Sequence, residues 1–247
     1  MATSHIHPFN PYQRFVFWPL WVLSVVLTAV ISGILYYFLA QNLLQQTRAE
    51  LEGIATKTAA FIPTSIHENL QEPADQKSAD YKLLELYLQS IMSGNPQVDD
   101  IYTLRPTDDP DTMTFVVSGA ETEDSDGDGI IEEAEQKAML GEAYGITQAP
   151  KIKDGMAGPS SDEGVTYDKW GAWISGYAPL TNEDGEAVAV VGVDYEAKTL
   201  SDERQGIFNI ILYINLALII PYAVLSWYTS WRIGRPYRML IQAMDRI

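Results

Sequence analysis

Twelve consecutive residues, 124–135, carry the densest chemistry in this chain of 247 residues. They read Asp124-Ser125-Asp126-Gly127-Asp128-Gly129-Ile130-Ile131-Glu132-Glu133-Ala134-Glu135. Carboxylates stand at the first, third and fifth positions, glycine at the sixth, an aliphatic residue at the eighth and glutamate at the twelfth. Calcium takes six to eight hard oxygens at about 2.3–2.6 Å, and a loop that wraps it needs glycine where the chain turns sharply. Asp124, Asp126 and Asp128, the carbonyl of Ile130, a water held by Glu132 and a bidentate Glu135 would supply that set. Eight acidic residues fall between positions 121 and 135, and without a cation they repel one another. The competing reading is a solvated acidic turn, the usual fate of a charge run.

The pattern is that of the EF-hand calcium loop, with no obvious entering helix before it and no second loop to pair with. The expected affinity is therefore low, in the ~0.1–1 mM range of extracellular modules, with Ca2+ as a structural ion or as a sensed one.

A second cluster is aromatic. Residues 168–180 read Asp168-Lys-Trp170-Gly-Ala-Trp173-Ile-Ser175-Gly-Tyr177-Ala-Pro179-Leu180. On a strand, Trp173, Ser175, Tyr177 and Pro179 share one face and Ile174, Ala178 and Leu180 the other. The second face is plain core. The first mixes rings with polar tips, as small-ligand pockets do, or its rings simply pack beneath helices.

Other site chemistry is thin. Zero cysteines exclude disulfides, thiolate metal sites and cysteine catalysis. His5, His7 and His67 cannot assemble a zinc triad, there is no phosphate-cradling glycine loop or nucleophile elbow, and Ser160 and Ser161 read as loop. No catalytic site is expected within the chain.

The elements that must position these groups begin with two uncharged stretches, 15–40 and 205–231. At about 1.5 Å per helical residue each reaches roughly 40 Å, longer than the ~30 Å hydrocarbon core of a bilayer. Aromatic residues near the ends of both stretches, among them Trp18, Trp21, Tyr36, Tyr37, Phe208, Trp227 and Trp231, suit interfacial belts of permanent anchors rather than a cleaved signal peptide. The segment between them carries 11 Lys and Arg against 32 Asp and Glu, while four arginines follow the second stretch. That asymmetry places both termini inside and residues 41–204 outside. An outer segment so acidic repels nucleic acid; its natural small partners are cations, or ligands held in a pocket shielded from that field.

Within the outer segment, Leu44, Thr47, Leu51, Ile54, Thr58 and Phe61 recur at helical spacing, predicting a helix continuous with the first span and ending near Pro63. Tyr81, Leu84, Leu88 and Ile91 predict a second helix, stopped at Gly94-Asn95-Pro96. The period then changes to two: 98–104 pairs with 113–118, and 172–180 with 187–195 across Asn182-Glu183-Asp184-Gly185. Helices followed by antiparallel strands predict an α+β fold, a sheet covered on one side by the long helices.

Ile101-Tyr-Thr-Leu104, Thr114-Phe-Val-Val117, Gly141-Glu-Ala-Tyr-Gly145, the run from Trp170 to Pro179, and Val191-Gly-Val-Asp194 together resemble the extracytoplasmic Cache sensor domains of bacterial receptors. The resemblance covers roughly 41–204 and is strongest over 168–195. It implies a PAS-like antiparallel sheet behind a long amino-terminal helix, with a small ligand lying on the sheet. By position it implies ligand contacts from Tyr102, Trp170, Trp173, Tyr177 and Asp194. The acidic loop is not a general feature of that family.

Residues 232–247 resemble the first helix of a HAMP linker. Ile233, Leu240 and Ile247 are seven apart, with Pro236 and Ala243 three beyond, a heptad seam beginning at a helix-start proline. The resemblance implies a parallel homodimer in a bacterial inner membrane. The resulting division is a cytoplasmic terminus (1–14), transmembrane helix (15–40), Cache-like sensor (41–204), transmembrane helix (205–231) and a truncated HAMP-like helix (232–247). The expected function is the input half of a transmembrane signalling receptor. The alternatives are a calcium-sensing or calcium-stabilised binding module, and a membrane-bound enzyme (histidine kinase, nucleotide cyclase or phosphatase) whose catalytic domain lies beyond residue 247.

Overall fold

The computed structural model describes residues 11–244 apart from 123, 125 and 126, and for 11–13 and 234–244 the backbone alone. The chain divides into two units, one formed by 1–41 with 204–247 and the other by 42–203.

The first unit is helical. Helix α1 (Pro11–Phe61) supplies it with residues up to 41, and α5 (Ala197–Met244) with residues from 204. Both are long and apolar enough to cross a membrane. Their large side chains point outward, Leu23, Ile34 and Ile220 all being well exposed, the reverse of a water-soluble helix pair. Between them runs a polar seam: Asn215 Nδ2 donates to Ser32 Oγ at 2.9 Å, the hydroxyls of Thr28 and Tyr222 are hydrogen-bonded at 2.6 Å, and Trp21 Nε1 donates to the Ile219 carbonyl at 3.4 Å. A polar side chain without such a partner is costly in an apolar surround. Pro19 lies within α1. α5 runs through Pro221 and Pro236 in one piece, so Pro236 does not begin a helix as its position suggested. Proline removes one backbone bond and bends a helix without having to end it. The side chains of the heptad seam beyond Ile233 lie outside the described residues.

The second unit is α+β. Its sheet runs β3–β2–β1–β7–β6–β4, with β5 also paired to β6. The strands are β1 (Val98–Pro106), β2 (Thr112–Ser118), β3 (Ala143–Gly145), β4 (Ser160–Ser161), β5 (Thr166–Tyr167), β6 (Ala172–Thr181) and β7 (Ala187–Glu196), and every pairing is antiparallel. The β6–β7 turn forms where Asp184-Gly185 signals it: Gly185 takes φ +82°, and Asn182 Oδ1 accepts from the backbone N–H groups of Asp184 and Glu186. Ser160 and Ser161, read as loop, form a short strand because the edge of β6 supplies their backbone partners.

One sheet face packs against the 42–61 part of α1 and against α3 (Ala79–Gly94), burying Leu51, Ala55, Leu84, Leu88, Ile174, Ala178 and Val191. α1 comes close because Gly176 faces it: a Cβ there would meet Leu51 at 2.6 Å. Ser78 caps α3 by accepting from Tyr81 N–H at 3.1 Å. The opposite face is covered too, contrary to the one-sided expectation. The short α2 (Thr64–Asn69) precedes α3, and α4 (Lys151–Ala157) lies across β6 and β7, closing a second cluster that includes Tyr102, Phe115, Ile146, Ile152 and Tyr177. Gly155 of α4 makes this approach feasible, since a Cβ there would fall 2.6 Å from Tyr177 Cβ. α4 has seven residues, too few for a helical period to show in sequence.

Candidate ligand-binding site

A cavity of about 630 Å³ lies beside this second cluster. β1 contributes Asp100 and Tyr102, β2 Phe115, β6 Trp173, β7 Asp194 and Glu196, β3 Tyr144, and the turn before β6 Asp168 and Trp170. Residues 134–138, the end of the acidic loop and the three residues after it, form another wall. Tyr102, Trp170, Trp173 and Asp194 therefore stand together around one space. Tyr177 does not line it: its ring is buried under α4 and its hydroxyl donates to Asp162 Oδ2 at 3.2 Å.

The rings contact one another edge to face. Phe115 is 5.4 Å from each of Tyr102, Tyr144 and Trp170, while Tyr144 and Trp170 stack at 6.3 Å. Asp168 sets much of this arrangement. Its Oδ1 accepts from Trp170 N–H (2.9 Å), Gly171 N–H (3.0 Å) and Trp173 Nε1 (2.9 Å), and its Oδ2 accepts from the Tyr144 hydroxyl at 3.1 Å. One carboxylate thus fixes three of the rings, and Trp170 Nε1 adds a bond of 2.6 Å to the Gln136 carbonyl.

Two further carboxylates face each other across the floor: Asp100 on β1 is the register partner of Asp194 on β7. Asp194 Oδ1 accepts from the Tyr102 hydroxyl at 3.1 Å; Asp100 accepts from Ser118 Oγ at 2.9 Å and Ala120 N–H at 2.8 Å. Burial raises the Asp194 carboxyl well above the usual range, and the charges of Asp100 and Asp168 raise it further. Burial likewise pushes Asp100 up to about 6, against the pull of its hydrogen bonds to Ser118 and Ala120. Asp162, buried beside Tyr177, is also pushed up to about 6 by burial.

Sequence reasoning missed Asp100, Phe115, Tyr144 and the organising role of Asp168. For Asp168 a local signal exists, an aspartate two residues before one amide donor and three before a glycine, the pattern of an Asx turn. The other three gain their places only when β1, β2, β3 and β7 pair.

In the acidic loop, Asp124 accepts from the backbone N–H groups of Gly127, Asp128 and Gly129, Asp128 from that of Ile130, and Glu135 from that of Glu132. Gly127 and Gly129 take φ +74° and +85°, which explains why glycine stands at both. Among the described residues no three acidic or histidine side chains are placed to hold a metal ion. Asp126 lies outside the described residues. The exit from the loop is a single 3₁₀ turn, Glu133–Glu135, and Glu135 lines the cavity.

No family model matches the chain, and no curated protein matches it. The solved structures similar to it include sensor domains of chemoreceptors and histidine kinases. The ligand-binding domain of the Campylobacter jejuni chemoreceptor Tlp3 in complex with L-valine is 12% identical, with 79% of this chain and 68% of that one covered and a TM-score of 0.45. The Tlp3 sensory domain with isoleucine bound is 10% identical, with 79% and 67% covered and a TM-score of 0.45. The sensor domain of the Vibrio cholerae histidine kinase DctB is 16% identical, with 67% and 60% covered and a TM-score of 0.36.

Proposed function

We propose that residues 41–204 are an extracytoplasmic Cache-type sensor domain that binds a small molecule in the aromatic cavity on its sheet. In this reading the helices over 15–40 and 205–231 anchor it in a bacterial inner membrane, with both termini cytoplasmic. Ligand occupancy is passed through the second anchor to the HAMP-like helix of a parallel homodimer. The observation that carries it is the cavity: Tyr102, Trp170 with Trp173, and Asp194, from three separate parts of the sequence, line one space large enough for a metabolite. The test is a thermal-shift screen of the full chain in lipid nanodiscs against a broad metabolite library. Stabilisation by a compound, lost in Trp170→Ala, is the expected result, because a ligand that binds the native state alone raises its melting temperature. A library without a single Trp170-sensitive hit would refute the reading.

A second reading concerns calcium. Supporting it is the way Asp124 gathers three backbone N–H groups while Gly129 takes the turn conformation at the sixth loop position. Asp124, Asp126, Asp128, the Ile130 carbonyl, Glu132 and Glu135 would hold Ca2+, a charge able to offset the acidic crowd. Titration calorimetry near one ion per chain, abolished in Asp124→Asn with Glu135→Gln, is the expected result. Absence of heat up to several millimolar would return the loop to an acidic turn.

A further inference from the structure

The charge of the cavity wall restricts what can enter. Among the described residues seven carboxylates line it and one cation, Lys137. That ammonium is committed elsewhere, bonded to the buried Glu85 and set 5.5 Å from the Tyr81 ring centre. Lys169, whose ammonium lies 4.4 Å from the Trp170 ring centre, is held by Glu142 at 2.5 Å and Glu133 at 3.2 Å. Among the described residues no arginine lines the space. A ligand carboxylate would therefore lose its water and meet further carboxylates, while a ligand ammonium would meet both acids and ring faces. At about 630 Å³ the cavity is also far too large for a bare metal ion and roomy enough for an alkyl chain. Its acids fall at two places. Asp100 and Asp194 oppose each other across β1 and β7, an arrangement that destabilises a sheet unless a cation or a shared proton sits between them. Glu121 and Glu135 stand on the wall contributed by the acidic region.

We propose that the cavity takes an aliphatic diamine or polyamine, one ammonium at the Asp100–Asp194 pair, the chain along Tyr102, Phe115 and Trp170, and a second ammonium towards Glu121 and Glu135. This rests on reading the cavity as the sensor's ligand site, and it excludes free amino acids and dicarboxylates from that site.

The experiment is calorimetric titration of the full chain in nanodiscs of neutral phosphatidylcholine, at pH 7.5 and moderate salt, with four probes: 1,4-diaminobutane, butylamine, L-valine and succinate. Saturable binding of diaminobutane is expected, with butylamine about tenfold weaker or worse and no heat from valine or succinate. Asp194→Asn should weaken diaminobutane about 30-fold or more, since it removes one partner of a desolvated charge contact. Circular dichroism checks the folding of that variant, and Glu135→Gln and Trp170→Ala provide second and third readouts should it not fold. Diaminobutane binding that all three variants leave unchanged lies elsewhere and overturns the inference. Binding of valine or succinate that Trp170→Ala abolishes would overturn the ligand class and leave the sensor reading standing. Silence from all four probes overturns the inference, and the library screen above then decides the sensor reading separately.

Discussion

The ring of Tyr102 on β1 lies directly over Gly192 on β7, where an added Cβ would overlap the ring's Cε2 and Cζ atoms. Gly192 is also the register partner of Tyr177 on β6. Gly192→Ala should force Tyr102 away from Asp194, at a cost of about 1–3 kcal/mol for overpacking. Chemical denaturation of the full chain measures it. A variant as stable as the wild type would show that the ring moves aside freely.

The carboxyl of Asp100 keeps its proton up to about 6 because it is buried, with Asp99 adding repulsion. Asp194, Ser118 and the Ala120 N–H face it. Between the ordinary carboxylate range and about 6, the folded chain holds a proton that the unfolded chain has released. This group therefore lowers stability as pH rises through that window, and the penalty disappears on acidification. Asp100→Asn should raise the thermal midpoint at pH 7.5, and its advantage should shrink as pH falls towards 4.5. An advantage that grows on acidification would contradict the assignment. Diamine binding should run the opposite way, strengthening from pH 5 to pH 7 as Asp100 ionises.

Glu85 on α3 is buried and bonded to both Lys137 and Lys82, the latter at 2.5 Å. Burial raises its carboxyl, and the two lysines more than offset that and leave it below its ordinary value. Since Lys137 belongs to the 134–138 wall of the cavity, this pair ties that wall to α3. Lys137→Met should cost roughly 1–3 kcal/mol, because Glu85 keeps only the exposed Lys82 as a partner. Adding Glu85→Gln should restore part of the loss, as no poorly paired charge then remains. A double mutant that loses the full sum of both single effects would mean the groups are uncoupled.

In the helical unit, the Asn215–Ser32 bond at 2.9 Å should contribute about 0.6 kcal/mol, the mean found for hydrogen bonds between membrane helices. A double-mutant cycle with Asn215→Leu and Ser32→Ala, read by unfolding in mixed micelles, isolates it. A coupling indistinguishable from zero would count against the bond.

Elements with a strong local period were legible. β1, β2, β6 and β7 fell within two residues of their expected bounds, because alternation over seven or more residues and an Asp-Gly turn are written in neighbouring positions. The 42–61 helix and α3 were equally plain. β3, β4, β5 and α4 were not, since two to seven residues carry no period and their backbone bonds are supplied by partners distant in sequence. The site divides in the same way. Trp170, Trp173 and Asp194 sit in runs whose composition stands out, whereas Asp100 looks like any surface acid until β7 pairs with β1. Tyr177 alternates with the pocket face correctly, yet α4, hidden in the sequence, covers it.

The sheet ends at both sides in fragments, three residues of β3 at one edge and two each of β4 and β5 at the other. Edges this short offer another chain almost no free row of amides and carbonyls to continue. Copies of this unit are thereby discouraged from joining strand to strand into extended aggregates, even at high local concentration. Any contact between them is left to helix and loop surfaces, where side chains can choose the partner.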